Sequence, residues 1–568
     1  MAFHTPGYLL RIINKRYVYL PHIAAMMKNN TSKNGKSGLL CLLALLFAIL
    51  ASIPFLVPHC GFVALFAFVP LLCLERVAEL SGTKRVWLYY YGAFVLWNAF
   101  TTFWVCNATV GGGLFAIFAN AFQMAVIFAL FRWFKKAVRG LLPYIFLAAA
   151  WIAWEHFYFN AEISWPWLVL GNSFARSIES IQWYEYTGTL GGSLWIWTMN
   201  IFLFSVMTAL SDGRAALWNT KARIAAFGGY AILFAAPFVI SQVIFDSYEE
   251  RDNPVTVVAL QPNIDPYDKF GGMSQKEQTD KLLALADKVM DSTVRLLVAP
   301  ETFTPDIYTN APLQSPTMQS FISYLSEYPG CDMLFGASTY TVYNISERPS
   351  YLARRYGNGW YESHNSAILT DGKGDYGIYH KIKLVPGVEY MPYPKIFNSI
   401  DEKLGGVMGR CVGQDSAASL RCRPERPGVG CAICYESVYG DFYRGYVLDG
   451  AELMTIITND AWWGDTPGYR QHFSYASLRA IETRRSIVRS ANTGISALID
   501  QRGVPVIKSA WWEEEALKGT VNLNDKITFF VAHGDITGRV ATFLFLLLLL
   551  ARIVRGVMEA GKKKRIIV

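Results

Sequence analysis

Three side chains with complementary chemistry stand at the ends of predicted strands or in a tight loop. Glu301 follows the hydrophobic run Arg295–Ala299, and Cys434 follows Gly430–Ile433, so each projects from the end of a buried strand. Lys381 lies in a segment whose prolines and glycine predict a tight loop. A base, a cation and a thiolate are the groups that acyl transfer through a thioester requires.

The residues after Cys434 can open a helix, and a thiol at a helix N-terminus has its thiolate stabilised by unpaired backbone N–H groups. Each of the three signals is common in proteins without this chemistry. A glutamate after a strand is usually an exposed carboxylate, a single cysteine there is usually buried and inert, and a lysine near a proline is usually solvated. The functional interpretation therefore depends on these residues occurring together, in one order and with their flanking residues.

The segment from about residue 246 to residue 528 has the pattern of a layered α/β domain. Short β-rich runs alternate there with amphipathic stretches, and about 280 residues can bury a sizeable core. The spacing predicts a helix over Gln471–Ser490. The predicted strands are Val255–Gln261, Arg295–Ala299, Met333–Ser338, Gly430–Ile433, Leu453–Thr458 and Gly494–Asp500.

The chain as a whole is too apolar for a soluble protein. Of its 568 residues 52% are hydrophobic and 17% are charged, against about 25% charged in ordinary soluble domains. A crossing helix needs only about 20 apolar residues, so the charge-free stretches Gly38–Leu74 and Val86–Phe131 each predict two spans. Three further spans before residue 246 and one near the C-terminus are predicted at Gly140–Phe159, Thr187–Leu210, Ile224–Phe245 and Ile536–Val554.

Basic residues orient these predicted spans. The leader before Gly38, every second connection and the tail Lys562–Arg565 are basic, whereas the intervening connections are uncharged or acidic. Because basic segments stay in the cytoplasm, both termini are predicted there and residues 246–528 on the opposite side. The basic clusters are interpreted as helix anchors, and no nucleic-acid binding is expected. Met26 and Met27 are the candidate true starts of the chain.

Four domains are therefore predicted. Residues 1–37 form a basic cytoplasmic leader, and residues 38–245 form a seven-helix transmembrane domain. Residues 246–528 form the outer catalytic domain, and residues 529–568 form the final transmembrane helix with its basic cytoplasmic tail.

Several motifs occur in one order along the chain. In that order they resemble the carbon–nitrogen hydrolase (nitrilase) superfamily, and with the apolar part attached they resemble the membrane-bound apolipoprotein N-acyltransferase family over nearly the whole chain after Gly38. The motifs are Trp165-Pro166-Trp167-Leu168 with Gly171, Pro300-Glu301, Asn365-Ser366, Tyr379–Pro392, Cys434-Tyr435-Glu436, Asn459–Trp462, and Arg489-Ser490 with Asn492 and Gly494.

The resemblance implies a fold and a location. The fold is a polytopic α-helical membrane domain of eight transmembrane helices, with an α/β nitrilase-like domain (an αββα sandwich) inserted between helices seven and eight. The location is the bacterial inner membrane, with the catalytic domain on the periplasmic side and both termini in the cytoplasm.

The same resemblance implies the roles of the reacting groups. Glu301 is the general base, Lys381 stabilises the oxyanion and Cys434 is the nucleophile. Lys383 competes with Lys381 for its role, and the position two residues after Tyr379 favours Lys381. The supporting residues implied are Glu389, Tyr435 and Glu436. The family usually has Pro-Phe-Gly-Glu where this chain has Pro386-Gly387-Val388-Glu389, which leaves the path of that loop open.

The implied reaction is ping-pong acyl transfer without a metal or cofactor. Cys434 takes a fatty acyl chain from a membrane phospholipid and passes it to the α-amine of the diacylglyceryl-cysteine of an apolipoprotein. Lipid substrates explain why the domain is attached to a membrane. Trp165 and Trp167 suit the membrane interface, either as an aromatic belt or in contact with substrate. Trp462 and Trp463 are predicted to form a hydrophobic rim that admits acyl chains.

Two other functions are compatible with parts of the sequence. A membrane-tethered nitrilase or amidase acting on a small C–N compound would share the triad, but it leaves the spans and the Trp165–Trp167 loop unexplained. A receptor or transporter with a non-catalytic outer domain is disfavoured by the intact triad and by spans that carry almost no charge.

The outer domain contains five cysteines, an odd number. If Cys434 stays free as the nucleophile, the other four, Cys331, Cys411, Cys422 and Cys431, can pair in a compartment that permits disulfides. Cys411–Cys422 is the expected bridge because these residues are close in sequence.

Overall fold

The computed structural model describes residues 33–266, 268–393 and 409–567. The predicted basic leader up to residue 32, with the candidate starts at Met26 and Met27, lies outside the described residues. The described chain consists of an N-terminal helical region, a two-sheet region and a long C-terminal helix.

The helical region packs around an aromatic core that includes Phe68, Trp97 and Trp151. Its main helices are α1 Lys33–Leu56, α2 Val69–Leu80 (preceded by short helical turns from Gly61), α3 Trp87–Thr102, α4 Val110–Lys135, α5 Leu142–Tyr158, α6 Tyr184–Ser211 and α7 Thr220–Ser247. The bounds agree closely with the first seven predicted spans.

Six helical segments in the described chain are long and apolar enough to cross a membrane: Gly35–Leu56, Gly61–Leu80, Val110–Lys135, Tyr184–Ser211, Thr220–Ser247 and Ile536–Gly561. The other two predicted spans correspond to α3, with 16 residues, and α5, with 17 residues. Both are slightly shorter than the roughly 20 residues of an ordinary crossing.

Helix α6 is broken near its start. Gly188 has φ 61° and ψ −174°, and a Cβ at this position would lie 2.3 Å from the ring of Phe530. Glycine is therefore required both by the backbone conformation and by the close approach of Phe530. The break makes Thr189 the first residue of the long straight part of α6.

The two-sheet region contains fourteen strands among the described residues. The first sheet has the order β14-β1-β2-β4-β6-β5, with β3 paired to β4 and β7 paired to β6. The second sheet has the order β13-β12-β11-β10-β9-β8. The strands are β1 Pro254–Gln261, β2 Val294–Val298, β3 Thr304–Tyr308, β4 Asp332–Tyr343, β5 Arg354–Tyr356, β6 Gly359–Asp371, β7 Tyr376–His380, β8 Ser419–Leu420, β9 Val429–Ile433, β10 Leu453–Thr458, β11 Ile487–Ala491, β12 Ala497–Ile499, β13 Pro505–Lys508 and β14 Glu515–Asn522.

Helices cover the outer faces of the two sheets. Residues of both sheets, such as Val298 and Ile456, share one buried core, which shows that the sheets pack face to face. Helices α8 Gln275–Asp287 and α9 Pro316–Ser326 cover the first sheet, and α10 Gly440–Leu448 and α11 Pro467–Thr483 cover the second. The short α12 Phe529–His533 then leads to α13 Ile536–Ile567, which packs against α5 through Phe545 and Phe146. The result is the predicted helix–sheet–sheet–helix layering.

The prediction of a helix over Gln471–Ser490 was wrong in its second half. Helix α11 ends at Thr483, because Arg484 adopts the left-handed conformation with φ 50°. The following residues form β11, which pairs in parallel with β10. Tertiary pairing of this β-branched run overrides its helical spacing.

The expected Cys411–Cys422 bridge is absent, and all nine cysteines, which lie within the described residues, are free thiols. Cys411 pairs with Ser363 near the start of β6, whereas Arg423, next to Cys422, forms an ion pair with Asp371 at the end of β6. At about 3.3 Å per residue Ser363 and Asp371 lie roughly 25 Å apart along this strand. Bridged Cα atoms lie within about 7 Å, so closeness in sequence was misleading here.

Candidate active site

Glu301 lies just beyond the end of β2, as predicted, and only 7% of its surface is exposed. Gly336 of β4 passes so close that a Cβ there would lie 2.6 Å from the Glu301 Cα. Thr302 adopts the left-handed conformation, with φ 47°. The buried ammonium of Lys269 donates to the Glu301 carbonyl at 3.0 Å and to Thr302 Oγ1 at 3.1 Å. The backbone that carries the glutamate is thus fixed from two sides.

Lys381 is almost completely buried and bridges two carboxylates. Its Nζ donates to Glu301 Oε1 at 3.2 Å and to Glu389 Oε1 at 2.9 Å. Burial alone would lower the pKa of Lys381, but the negative charges of Glu389 and Glu301 outweigh it and raise this pKa well above its ordinary value. Lys381 therefore stays protonated at neutral pH.

Asn365 of β6 contacts the same pair of carboxylates. Its Nδ2 donates to Glu301 Oε1 at 2.8 Å and to Glu389 Oε1 at 2.6 Å. Its backbone carbonyl accepts the Lys381 N–H at 2.8 Å. Asn365 appeared in the sequence only as part of a motif without an assigned role, and the structure places it at the centre of the ionised cluster.

The loop that carries Glu389 follows a path that the sequence had left open. Gly387 has φ +83°, which suits glycine, and its N–H donates to the Tyr390 carbonyl at 2.7 Å. Glu389 Oε2 accepts the Val385 N–H at 2.7 Å, so the turn folds back onto its own glutamate. Although Gly387 stands one position earlier than the glycine of the usual family pattern, this loop brings the Glu389 carboxylate to Lys381.

Lys383, the competitor of Lys381, lies elsewhere. Its Nζ donates to the Phe159 carbonyl at 3.0 Å, in the connection after α5, and lies 5.1 Å from the ring centroid of Tyr439. Burial lowers the pKa of Lys383. The geometry thus places Lys381, and not Lys383, between the two carboxylates.

Cys434 follows β9 directly and adopts the left-handed conformation, with φ 51°. The residues after it form one 3₁₀ turn, Cys434–Val438, instead of the α-helix whose N-terminus was expected to stabilise a thiolate. Burial, reinforced by the negative charge of Glu301 and opposed by Lys381, raises the pKa of Cys434 well above the ordinary value. The expectation of a thiolate stabilised at a helix N-terminus was therefore wrong, and the resting group is a thiol that needs a base.

Glu436 connects the cysteine turn to the lysine loop. It is fully buried, and its Oε1 accepts from the Tyr379 hydroxyl at 2.8 Å and from the Ile382 N–H at 2.7 Å. Its Oε2 accepts from the Ile433 N–H at 2.9 Å. One carboxylate thus fixes the residues next to both Lys381 and Cys434.

The tryptophans lie where the helical region meets the site. Trp165 stacks on Trp167 with ring centroids 5.1 Å apart and on Tyr435, the residue after Cys434, at 6.2 Å. Trp463 packs on Trp104, at the end of α3, at 4.7 Å. Trp462 is 43% exposed. Trp104 is fully buried and was missed because one tryptophan in an apolar run carries no distinguishing signal.

Cys434, Asp460 and His472 form a group whose potential ligand atoms lie within 4.8 Å of one another. Asp460 already pairs with Arg489 at 2.8 Å, and the His472 ring contacts Asp460 at 3.0 Å. These polar atoms are engaged within the protein. His472 and Lys269 were missed because their partners are distant in sequence.

A buried carboxylate–lysine–thiol site between two stacked sheets defines the carbon–nitrogen hydrolase class. The family model "Carbon-nitrogen hydrolase" matches residues 255–528, and "Apolipoprotein N-acyltransferase N-terminal domain" matches residues 44–202. The chain belongs to the apolipoprotein N-acyltransferase family.

Two similar curated proteins carry that family's name. The apolipoprotein N-acyltransferase of Allorhizobium ampelinum is 30% identical over 442 residues, 73% of this chain and 75% of the relative. That of Chlorobaculum tepidum is 28% identical over 494 residues, 85% and 90% of the two chains. Among solved structures, an amidase from Nesterenkonia sp. is 16% identical and covers 50% of this chain and 94% of its own, with a TM-score of 0.34.

Proposed function

We propose that this protein transfers a fatty acyl chain from a membrane phospholipid to the N-terminal α-amine of a diacylglyceryl-cysteine apolipoprotein. The observation that carries the proposal is the contact between Lys381 Nζ and Glu301 Oε1 at 3.2 Å, in a buried cluster whose charges act on the Cys434 thiol. The names of the relatives support the choice of substrates.

In the first half-reaction Glu301 removes the proton of Cys434, and the sulfur attacks the ester carbonyl carbon of the phospholipid. The Lys381 ammonium stabilises the oxyanion, an interaction worth about 3–4 kcal/mol for each well-placed donor. When the C–O bond breaks, the lysophospholipid alkoxide receives the proton from Glu301. A fatty acyl thioester remains on Cys434.

In the second half-reaction the free amine of the lipoprotein attacks the thioester carbonyl. Glu301 takes a proton from the amine, the C–N bond forms and the C–S bond breaks. The proton passes to the departing sulfur, which regenerates the thiol. Proton balance is complete without a metal or cofactor, and Glu301 acts twice as base and twice as acid.

The proposed topology has eight crossings, with α3 and α5 as the two short ones and α13 as the last. Residues 246–528 lie between the seventh and eighth crossings on the periplasmic side of the inner membrane, and both termini are cytoplasmic. Exposed basic residues at one end of the helices, such as Arg85, Arg139 and Arg223, support this orientation.

The tryptophans are proposed to receive the acyl chain. Trp165 supplies a ring face beside Tyr435, and its buried indole N–H has no hydrogen-bond partner among the described residues. A buried donor without a partner is costly, so a substrate oxygen is its natural acceptor. Exposed Trp462 and half-buried Trp463 form the outer rim.

The test is mass spectrometry of the detergent-purified protein incubated with phospholipid. The expected result is a fatty acyl adduct on Cys434 that an added diacylglyceryl peptide discharges as amide. Cys434→Ala and Glu301→Gln should show no adduct, and Lys383→Gln, which leaves the carboxylate cluster untouched, should show it. Ammonia release from small amides without any acyl adduct would instead establish the amidase alternative.

A further inference from the structure

The backbone carbonyl of Cys434 accepts two hydrogen bonds from buried side chains. Ser437 Oγ donates to it at 2.7 Å, and His472 Nε2 lies 3.1 Å from it. A carbonyl oxygen can only accept, so Nε2 carries the proton in this contact. Ser437 and His472 are each only 1% exposed, so both donors are held inside the protein.

The other nitrogen of the His472 ring, Nδ1, also contacts buried side chains. His472 Nδ1 lies 3.0 Å from Asp460 Oδ1 and 3.0 Å from Arg489 Nη2, and Arg489 Nη2 donates to Asp460 Oδ2 at 2.8 Å. Asp460 and Arg489 are fully buried. We call Ser437, His472, Asp460 and Arg489 the carbonyl clamp.

The clamp acts on a residue in an unusual conformation. Cys434 has φ 51°, a region that residues other than glycine rarely adopt and that persists only where the surroundings enforce it. Two donors on its carbonyl fix the orientation of the peptide plane after Cys434. That plane sets ψ of Cys434 and the direction in which the neighbouring backbone N–H of Tyr435 points.

The residue before His472 contacts the helical region. Gln471 Nε2 donates to the Thr101 carbonyl of α3 at 3.1 Å, and Trp167 Nε1 donates to Gln471 Oε1 at 2.7 Å. The Trp167 ring also packs on the His472 ring, with centroids 5.8 Å apart. The first turns of α11 are therefore fixed by the helical region on one side and fix Cys434 on the other.

We propose that His472 is a positioning residue for the nucleophile. Through the carbonyl clamp it holds Cys434 in the left-handed conformation from which its thiol attacks, and docking of α11 on the helical region maintains that hold. The inference rests on the proposed function only in taking Cys434 as the acylated residue.

The test compares His472→Ala and His472→Gln with Arg470→Gln, a matched control on the exposed side of the same helix turn. Two rates are measured on the full-length protein: alkylation of Cys434 by iodoacetamide without lipid, and acylation of Cys434 by phospholipid. His472→Ala should lower kcat for acylation about 10–100-fold at unchanged KM, and the glutamine amide, which can donate to the same carbonyl, should restore a substantial part. Arg470→Gln should match the unmodified protein.

Ser437→Ala removes one donor to the Cys434 carbonyl, together with the 3.0 Å contact between Ser437 Oγ and His472 Nε2, but keeps the imidazole, so it tests the clamp even if His472→Ala does not fold. It should lower the rate of Cys434 acylation several-fold, and it should also lower the rate at which iodoacetamide alkylates Cys434. Normal rates in folded His472→Ala and Ser437→Ala would overturn the inference. Failure of the proposed function looks different: the unmodified protein would then form no thioester, while alkylation of Cys434 would still report the clamp.

Discussion

Asn365 and Lys381 donate to the same two carboxylate oxygens, Oε1 of Glu301 and Oε1 of Glu389. One neutral and one charged donor thus hold both carboxylates in place. Among the described residues, Glu301 Oε2 accepts no hydrogen bond, so it is the oxygen available for the Cys434 proton.

Variants of Asn365 should separate the effect of orienting the Glu301 and Glu389 carboxylates from the effect of charge near them. Asn365→Ala removes the hydrogen bonds to both carboxylates, and the bond to Glu301, the proposed base, is worth about 1.5–3 kcal/mol, so kcat for acylation should fall roughly 10–100-fold. Asn365→Asp adds a third carboxylate beside Glu301 and Glu389 and should lower the acylation rate further, because like charges at this distance repel each other. Equal acylation rates for the two variants would contradict this electrostatic explanation.

Cys434 should react as a thiol with a high pKa. Burial and the negative charge of Glu301 raise this pKa, so the thiolate fraction, and with it the rate of iodoacetamide alkylation, should still be rising above pH 9. Glu301→Gln removes the negative charge and should move the midpoint to lower pH. A plateau below pH 8 in the unmodified protein would show that the thiolate is stabilised after all.

Lys269 should set an alkaline limit on activity. Burial lowers its pKa to about 8, so rising pH removes the charge with which it holds the Glu301 carbonyl. Because the folded-state pKa is depressed, protonated Lys269 costs stability below it, and the unmodified protein should gain stability but lose acylation as pH rises through about 8. Lys269→Met should show reduced acylation at every pH, without that step. The measurements are thermal unfolding and acylation rates from pH 6.5 to 9.5.

Gly336→Ala tests the close approach of β4 to Glu301, the proposed general base. Its Cβ would lie 2.6 Å from backbone atoms of Glu301 and Thr302, so something must shift. The expected cost is about 1–3 kcal/mol of unfolding free energy, together with loss of acylation, because the displaced residue is the proposed base. Gly92→Ala, whose Cβ would have no neighbour within 4 Å, is the matched control and should leave both measurements unchanged.

The parts of the fold that depend on local pattern were predictable. β10 matches the predicted Leu453–Thr458 because a β-rich run is bounded there by polar residues and turn formers. The end of the predicted helix Gln471–Ser490, from Arg484 onward, was not predictable, since pairing with β10 outweighs helical spacing in a fully buried strand. The 3₁₀ turn after Cys434 was not predictable either, because its Glu436 carboxylate is bound by the Tyr379 hydroxyl and the Ile382 N–H, 57 and 54 residues away in the chain.

The residues of the site also divide into those that the local sequence indicates and those that only tertiary contacts reveal. Glu301, Lys381 and Cys434 carry rare chemistry in recognisable flanks, so their sequence contexts indicated them. Asn365 and His472 carry ordinary polar chemistry, and their importance comes from partners 64 and 38 residues away. Only the pairing of strands and the docking of α11 bring those partners within reach.

The break at Gly188 has a consequence for biogenesis. The freed N–H of Thr189 donates to Glu482 Oε1 at 3.0 Å, and this glutamate belongs to α11, 293 residues later in the chain. When the ribosome has finished α6, the group that caps its straight part has not yet been synthesised. Capping of this helix must therefore wait until α11 has been synthesised and has packed against it, so the completion of α6 and the folding of the two-sheet region are steps of a single assembly process.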